Sequence, residues 1–127
     1  MIHLDTSVLI DAFTGTQRSS SALREVLSGP HPVNICSIVL FEWLRGPRTT
    51  AELKAQEALF PNTDSAPITS AEARIAASLY KNVKRPRGRE ADLMIAAAAL
   101  ASGAMLWTLN PHDFKDLPGL KLWDPAS

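Results

Sequence analysis

A single cysteine, Cys36, occurs in the 127 residues, so no internal disulfide framework is available. Cys36 lies in an apolar run and reads as a buried, inert thiol rather than a nucleophile. Charge of neither sign dominates, because 13 Lys and Arg balance 13 Asp and Glu. The whole-molecule field therefore exerts no strong pull on nucleic acid, and any such site has to be local. Long hydrophobic runs are missing too. The longest, residues 93–101, is far too short to span a bilayer. The opening Met1-Ile2-His3-Leu4-Asp5 has no basic or apolar leader segment, so no signal peptide is expected. Repeats and low-complexity stretches are absent. Together these absences predict a soluble protein of a reducing cytoplasm with no membrane partner. The length and the ordinary apolar fraction of 46% predict one domain over residues 1–127 with a real core.

What is present alternates between strand and helix signals. Residues 2–4 read as a short strand, and Thr6 and Ser7 can cap a helix over 8–13. Ala22, Leu23, Val26 and Leu27 have helical spacing before Gly29-Pro30. A second strand is expected over 33–36, then a helix capped by Ser37 and stopped at Gly46-Pro47. Thr49 or Thr50 opens another helix ending near Leu59. A short strand reaching Ile68 follows in the loop after Pro61. Thr69-Ser70-Ala71-Glu72 is a capping box before a helix to about Lys84. Residues 89–102 form a helix apolar nearly all round, hence buried, with Gly103 as its left-handed stop. Strands over 105–108 and 120–123 close the chain, with a helical turn over 111–115 between them. This alternation calls for an α/β fold: a parallel sheet with helices on both faces, and a ligand site past the carboxyl ends of its strands.

Four acids fall near that edge. Asp5 follows the first strand, where it is either a helix cap or, with Thr6 and Ser7 capping, a free carboxylate. Glu42 is the only acid among Ile38-Val39-Leu40-Phe41-Glu42-Trp43-Leu44, so it points to solvent or has a partner. Asp92 lies in the first turn of the apolar helix. The helix dipole alone accounts for an acid there, but the apolar residues that follow aim this helix end into a cleft. Thr108 closes the strand at 105–108 and Asn110 and Asp113 follow it, either as ligands or as a capped polar loop. Several carboxylates in one cleft repel each other unless a cation neutralises them. Hard divalent ions with oxygen ligands, Mg²⁺ or Mn²⁺, fit that requirement.

The motifs resemble a known family. Leu4-Asp5-Thr6-Ser7-Val8-Leu9-Ile10-Asp11 is similar to the opening motif of PIN domains, and Phe41-Glu42-Trp43-Leu44-Arg45-Gly46 to the helix carrying their second acid. Asp92-Leu93-Met94-Ile95-Ala96-Ala97-Ala98-Ala99-Leu100 resembles the segment carrying the third. Residues 106–114 with Leu117-Pro118-Gly119-Leu120 resemble the closing block, and the length and the Pro-Gly-Leu ending resemble the VapC toxins. The resemblance implies a three-layer α/β/α fold whose central parallel sheet has about five strands, order 3-2-1-4-5. It implies a metal-dependent endoribonuclease acting on transfer or ribosomal RNA, a homodimer, and a cognate antitoxin. Asp5, Glu42 and Asp92 carry over as catalytic metal ligands. At the fourth position many members have an acid where this chain has Asn110. Asp113 is then expected to supply the charge, with Thr6, Thr108 and Asn110 positioning ligands.

Lys81, Lys84, Arg85, Arg87 and Arg89 fall within nine residues that contain no acid and lead into the helix of Asp92. They read as a solvated helix end or as an RNA phosphate rim of Lys84, Arg85, Arg87 and Arg89, with salt-dependent binding. His3 is expected to be a hydrogen-bonded core residue, His112 a loop residue, and Trp43, Trp107 and Trp123 packing residues. Rival readings are a degenerate PIN domain that binds RNA or a protein without cutting, a haloacid dehalogenase, and a receiver domain. The dehalogenase needs a second Asp where Ser7 stands, and the receiver needs an acidic pair that the sequence does not place.

Overall fold

By its second residue the chain is already inside the core, since Ile2, His3 and Leu4 are all buried. They form β1 (Ile2–Leu4) in a computed structural model that describes residues 1–125. The remaining strands are β2 (Val33–Asn34), β3 (Met105–Trp107) and β4 (Leu122–Trp123). They make one parallel sheet of order β2-β1-β3-β4, with Leu4 opposite Trp107 and Trp107 opposite Trp123. Among the described residues six α-helices connect them: α1 (Thr6–Phe13), α2 (Ser20–Ser28), α3 (Ser37–Arg45), α4 (Thr50–Leu59), α5 (Ser70–Asn82) and α6 (Glu90–Ala101). None of them is long and apolar enough to cross a membrane.

The expected fifth strand is reduced to one parallel bridge between Cys36 and Ala66. Ala66 N–H donates to Ile35 O and Ser37 N–H to Ala66 O, both at 2.8 Å. The pairing ends there because the partner segment turns into α3 at Ser37, so the Ser37 carbonyl that the next ladder bond needs is no longer in extended chain. Residues Asn62–Asp64 are taken up by a 3₁₀ turn instead. The other four strands keep the expected order.

Helix starts follow their side chains. Thr49 with Glu52, and Thr69 with Glu72, each make reciprocal capping boxes for α4 and α5. At α1 the expectation is corrected. The helix begins at Thr6, with Asp5 at its N-cap position, and no side chain caps it. The hydroxyls of Thr6 and Ser7 turn to the carboxylates instead. In α6, Leu93 and Ile95–Ala99 are buried against α5, α3 and β3, where small side chains allow close approach. Gly103, at φ +64°, ends that helix.

His3 is 1% exposed, but neither ring nitrogen has a hydrogen-bond partner among the described residues. The expected buried position is there and the expected bond is not. Burial, and then the N-terminal ammonium, hold its pKa below the ordinary histidine value. Trp43 and Trp107 are buried, and Trp123 is half-buried with its ring 5.2 Å from that of Trp107.

Candidate metal and ribonuclease site

Parallel pairing of β1 with β3 brings Asp5 and Thr108 side by side at the carboxyl edge. Asp5 N–H donates to Trp107 O at 2.9 Å, which locks that register one residue beyond the strands. Thr108 Oγ1 then donates to Asp5 Oδ2 at 2.7 Å, and Ser7 Oγ donates to the same oxygen at 2.8 Å. Asp5 is 5% exposed, so two donors on one oxygen meet much of the cost of burying its charge. Both bonds leave Oδ1 uninvolved. Leu109 N–H donates to Ser7 Oγ, and Asn110 N–H to Thr108 Oγ1, so the loop after β3 hangs on the same hydroxyls.

Glu42 sits on α3 with its side chain 19% exposed. Of the two alternatives left by the sequence, it takes the partnered one. Thr6 Oγ1 donates to Glu42 Oε1 at 2.6 Å, and Arg45 stands 3.7 Å from Oε2. Neighbouring residues of one chain segment thus steer two acids: Asp5 through Ser7, and Glu42 through Thr6.

Asp92 occupies the first turn of α6, half-buried, and its carboxylate has no hydrogen-bond or ion-pair partner among the described residues. Its pKa is pushed up to about 6, first by burial and then by the negative charges of Asp5, Asp113 and Glu42, against a smaller pull from Arg89. The charges of the other three acids thus bear on Asp92. Asp113 closes the 3₁₀ turn Pro111–Asp113 and is exposed, as is Asn110 just before that turn.

The donor set is all oxygen and strongly negative, which is the chemistry of a hard divalent cation. Among the described residues no three of these acids yet stand within the spacing of a shared ion. The hydroxyls of Thr6, Ser7 and Thr108 hold Glu42 and Asp5 where they stand.

The basic segment divides. Lys84, Arg85 and Arg87 are exposed, and the first two line a groove of about 320 Å³ with His112, Asp113 and Lys115. Arg89 behaves differently. It grips Asp116 through both terminal nitrogens at 3.0 and 2.7 Å and donates to Asp113 O at 3.0 Å. It thereby clamps the turn carrying Asp113 onto the start of α6. Sequence reasoning misses Asp116 and the part played by Ser7. For Ser7 a signal exists, a hydroxyl two residues after Asp5 in a helix's first turn.

The family model for the PIN domain matches residues 2–120. A similar protein is ribonuclease VapC19 of Mycobacterium tuberculosis, 31% identical over 120 residues that cover 93% of this chain and 95% of that one. Among solved structures, a toxin–antitoxin complex from Klebsiella pneumoniae matches with a TM-score of 0.73 and 26% identity, covering 98% of each chain. VapBC2 from Rickettsia felis, bound to a DNA fragment from its promoter, matches with a TM-score of 0.75 and 23% identity, covering 98% of this chain and 100% of that one.

Proposed function

This chain belongs to the PIN-domain family, and from that premise we propose that it is the endoribonuclease toxin of a toxin–antitoxin pair, working as a single domain in the cytoplasm. The observation that carries the reading is the raised proton affinity of Asp92, caused by burial and three facing carboxylates. Such a cleft holds excess negative charge at the functional edge of a parallel sheet, and a divalent cation relieves it. Asp5, Glu42 and Asp92 would hold Mg²⁺ or Mn²⁺, with Asp113 as the fourth acid. When bound, the ion supplies an activated water and stabilises charge on a phosphoryl oxygen.

The chain's own residues do the rest. Ser7 and Thr108 fix the Asp5 carboxylate, and Thr6 fixes Glu42, so neither has to search for its orientation. Asp92 keeps a proton up to about pH 6, and ion uptake has to displace it. Lys84, Arg85 and Arg87 offer phosphate contacts that position the RNA without reading its sequence. Among the described residues no Ser/His/Asp arrangement accompanies the acids, which leaves water as the attacking group.

The likeness to toxin–antitoxin complexes supports an antitoxin as partner. Phe41 and Leu44 are exposed on α3, the helix of Glu42, and give apolar surface for that partner. A homodimer acting on transfer or ribosomal RNA completes the reading. A degenerate domain that binds RNA without cutting is the second reading, and Asn110, an amide where relatives often have an acid, favours it. The test is incubation of transfer and ribosomal RNA with Mg²⁺, Mn²⁺ or EDTA, beside the Asp5→Asn variant. Ion-dependent cleavage lost in the variant supports the enzyme. Binding without cleavage under every condition supports the degenerate domain.

A further inference from the structure

We propose that the cavity at the carboxyl ends of β3 and β4 receives one nucleobase of the RNA, next to the phosphodiester held at the acids. The inference rests on the ribonuclease reading and names the part of the substrate that lies beside that site.

The cavity is about 490 Å³ and is lined by Arg18, Ser19, Trp107, Thr108, Leu109 and Trp123 among others. That volume lies within the range of roughly 300–1,000 Å³ that encloses small ligands. Thr108 belongs to both places at once, since it lines the cavity and donates to Asp5 Oδ2 at 2.7 Å. A group seated here is therefore one side chain away from the carboxylates. Trp123, half-buried against the edge of the core, also lines an adjoining cavity of about 230 Å³, so part of its side chain borders two open volumes. Trp107 backs it at 5.2 Å with the planes 67° apart, which fixes the ring as a wall.

The polar groups argue for a base and against a phosphate. Ser19 Oγ is engaged with Asp11 Oδ2 at 2.6 Å, and Thr108 Oγ1 with Asp5. Arg18 is 80% exposed at its side chain and paired with Asp11 at 3.2 Å. Little positive charge remains to neutralise a phosphate in the cavity, whereas an uncharged π-face stacks on indole whatever its identity. Phosphate chemistry is available at the other end of the same loop, where Lys84, Arg85 and Lys115 line the groove beside Asp113. The segment 108–115 thus starts at an aromatic cavity and finishes at a basic groove, with Asp113 between them.

The test measures binding of fluorescein-labelled hexauridylate and of an abasic ribose-phosphate hexamer of the same length. It uses the full chain in Ca²⁺ at low salt, with RNA integrity checked on a gel. The wild type should bind hexauridylate at least about 5-fold more tightly, since a stacked base is worth roughly 1–3 kcal/mol. Trp123→Leu should remove the difference. Should Trp123→Leu fail to fold, Trp123→Phe should retain part of it. In the wild type the Trp123 indole N–H resonance, assigned by its loss in Trp123→Phe, should shift with hexauridylate and stay put with the abasic strand. Equal affinity for the two strands, or discrimination that survives in Trp123→Leu, overturns the proposal while ion-dependent cleavage keeps the ribonuclease reading. Base-dependent binding with no cleavage in Mg²⁺ or Mn²⁺ keeps the cavity and overturns the ribonuclease. No binding of either strand overturns the cavity.

Discussion

The hydroxyl of Thr6 lies 2.6 Å from Glu42 Oε1 and ties the first turn of α1 to the middle of α3. It is the bond that turns an acid surrounded by apolar residues into the cleft. Thr6→Val keeps the shape and removes the donor. Cleavage and Mn²⁺ affinity should fall by about 10–100-fold, the usual cost of losing a group that orients a metal ligand. Thr6→Ser should restore most of both. Unchanged rates in Thr6→Val would show that Glu42 needs no such positioning.

Asp92 predicts a pH signature in the ion-free protein. Its folded pKa of about 6 is raised from an ordinary 3.8, so the folded state favours the protonated form. That contribution to stability is fully present below about pH 4 and is lost as pH rises through 6. Asp92→Asn lacks this titration. In EDTA the variant should gain on the wild type from pH 4 to pH 8, by about 1–2 kcal/mol once the roughly 3 kcal/mol implied by the shift is discounted for screening. Denaturant melts of both proteins at several pH values measure the difference. A gap that stays constant with pH would mean the carboxylate is not under this pressure. Adding Mn²⁺ at pH 8 should stabilise the wild type more than the variant.

Arg89 and its neighbours should separate cleanly. Arg85→Gln with Arg87→Gln should flatten the salt dependence of RNA binding, by about 0.7 in log–log slope for each single-strand phosphate that is no longer neutralised. Arg89→Gln should leave the slope nearly unchanged, because its guanidinium already holds Asp116. Its effect should appear in the melting temperature, and Asp116→Asn should share it without adding to it, as expected for one interaction removed from either side. A slope change for Arg89→Gln equal to that of the other arginines would return it to the phosphate rim.

The split among these arginines also marks the limit of what local sequence records. Elements with local signals were legible: the capping boxes at Thr49 and Thr69, the stop at Gly103, and the apolar run of α6. So was the placement of Asp5 and Thr108 at strand ends, because a strand of three residues leaves little room for error. The fifth strand was overestimated, since the start of α3 at Ser37 limits it to one bridge and no periodicity exists over so short a stretch. Pairings across long separations were not legible. Thr6 with Glu42 and Arg89 with Asp116 depend on how helices dock, which no local pattern records. A hydrogen bond is the natural expectation for His3 because buried polar groups nearly always have one, and here tertiary packing leaves it without a partner among the described residues.

The fourth position can be settled by exchanging its charge. Asp113 acts on Asp92 through space, while Asn110 stands exposed just before the same turn, with its N–H on Thr108 Oγ1. Asn110→Asp adds a negative charge near Asp5 and should tighten Mn²⁺ by about 3–10-fold, of order 1 kcal/mol for one added charge in a partly exposed site. Asp113→Asn removes one and should loosen Mn²⁺ by a similar factor and slow cleavage. The two effects of Asp113→Asn oppose each other at low pH, because the same change also lowers the proton affinity of Asp92 and so reduces competition for that carboxylate. At pH 8 Asp92 is ionised in either protein and only the weaker attraction for the ion remains. The penalty should therefore be larger at pH 8 than at pH 5.5. Calorimetric Mn²⁺ titrations of the three proteins at both pH values read it directly. A penalty independent of pH would uncouple Asp113 from Asp92, and no penalty at either pH would make Asp113 a loop residue outside the ion site.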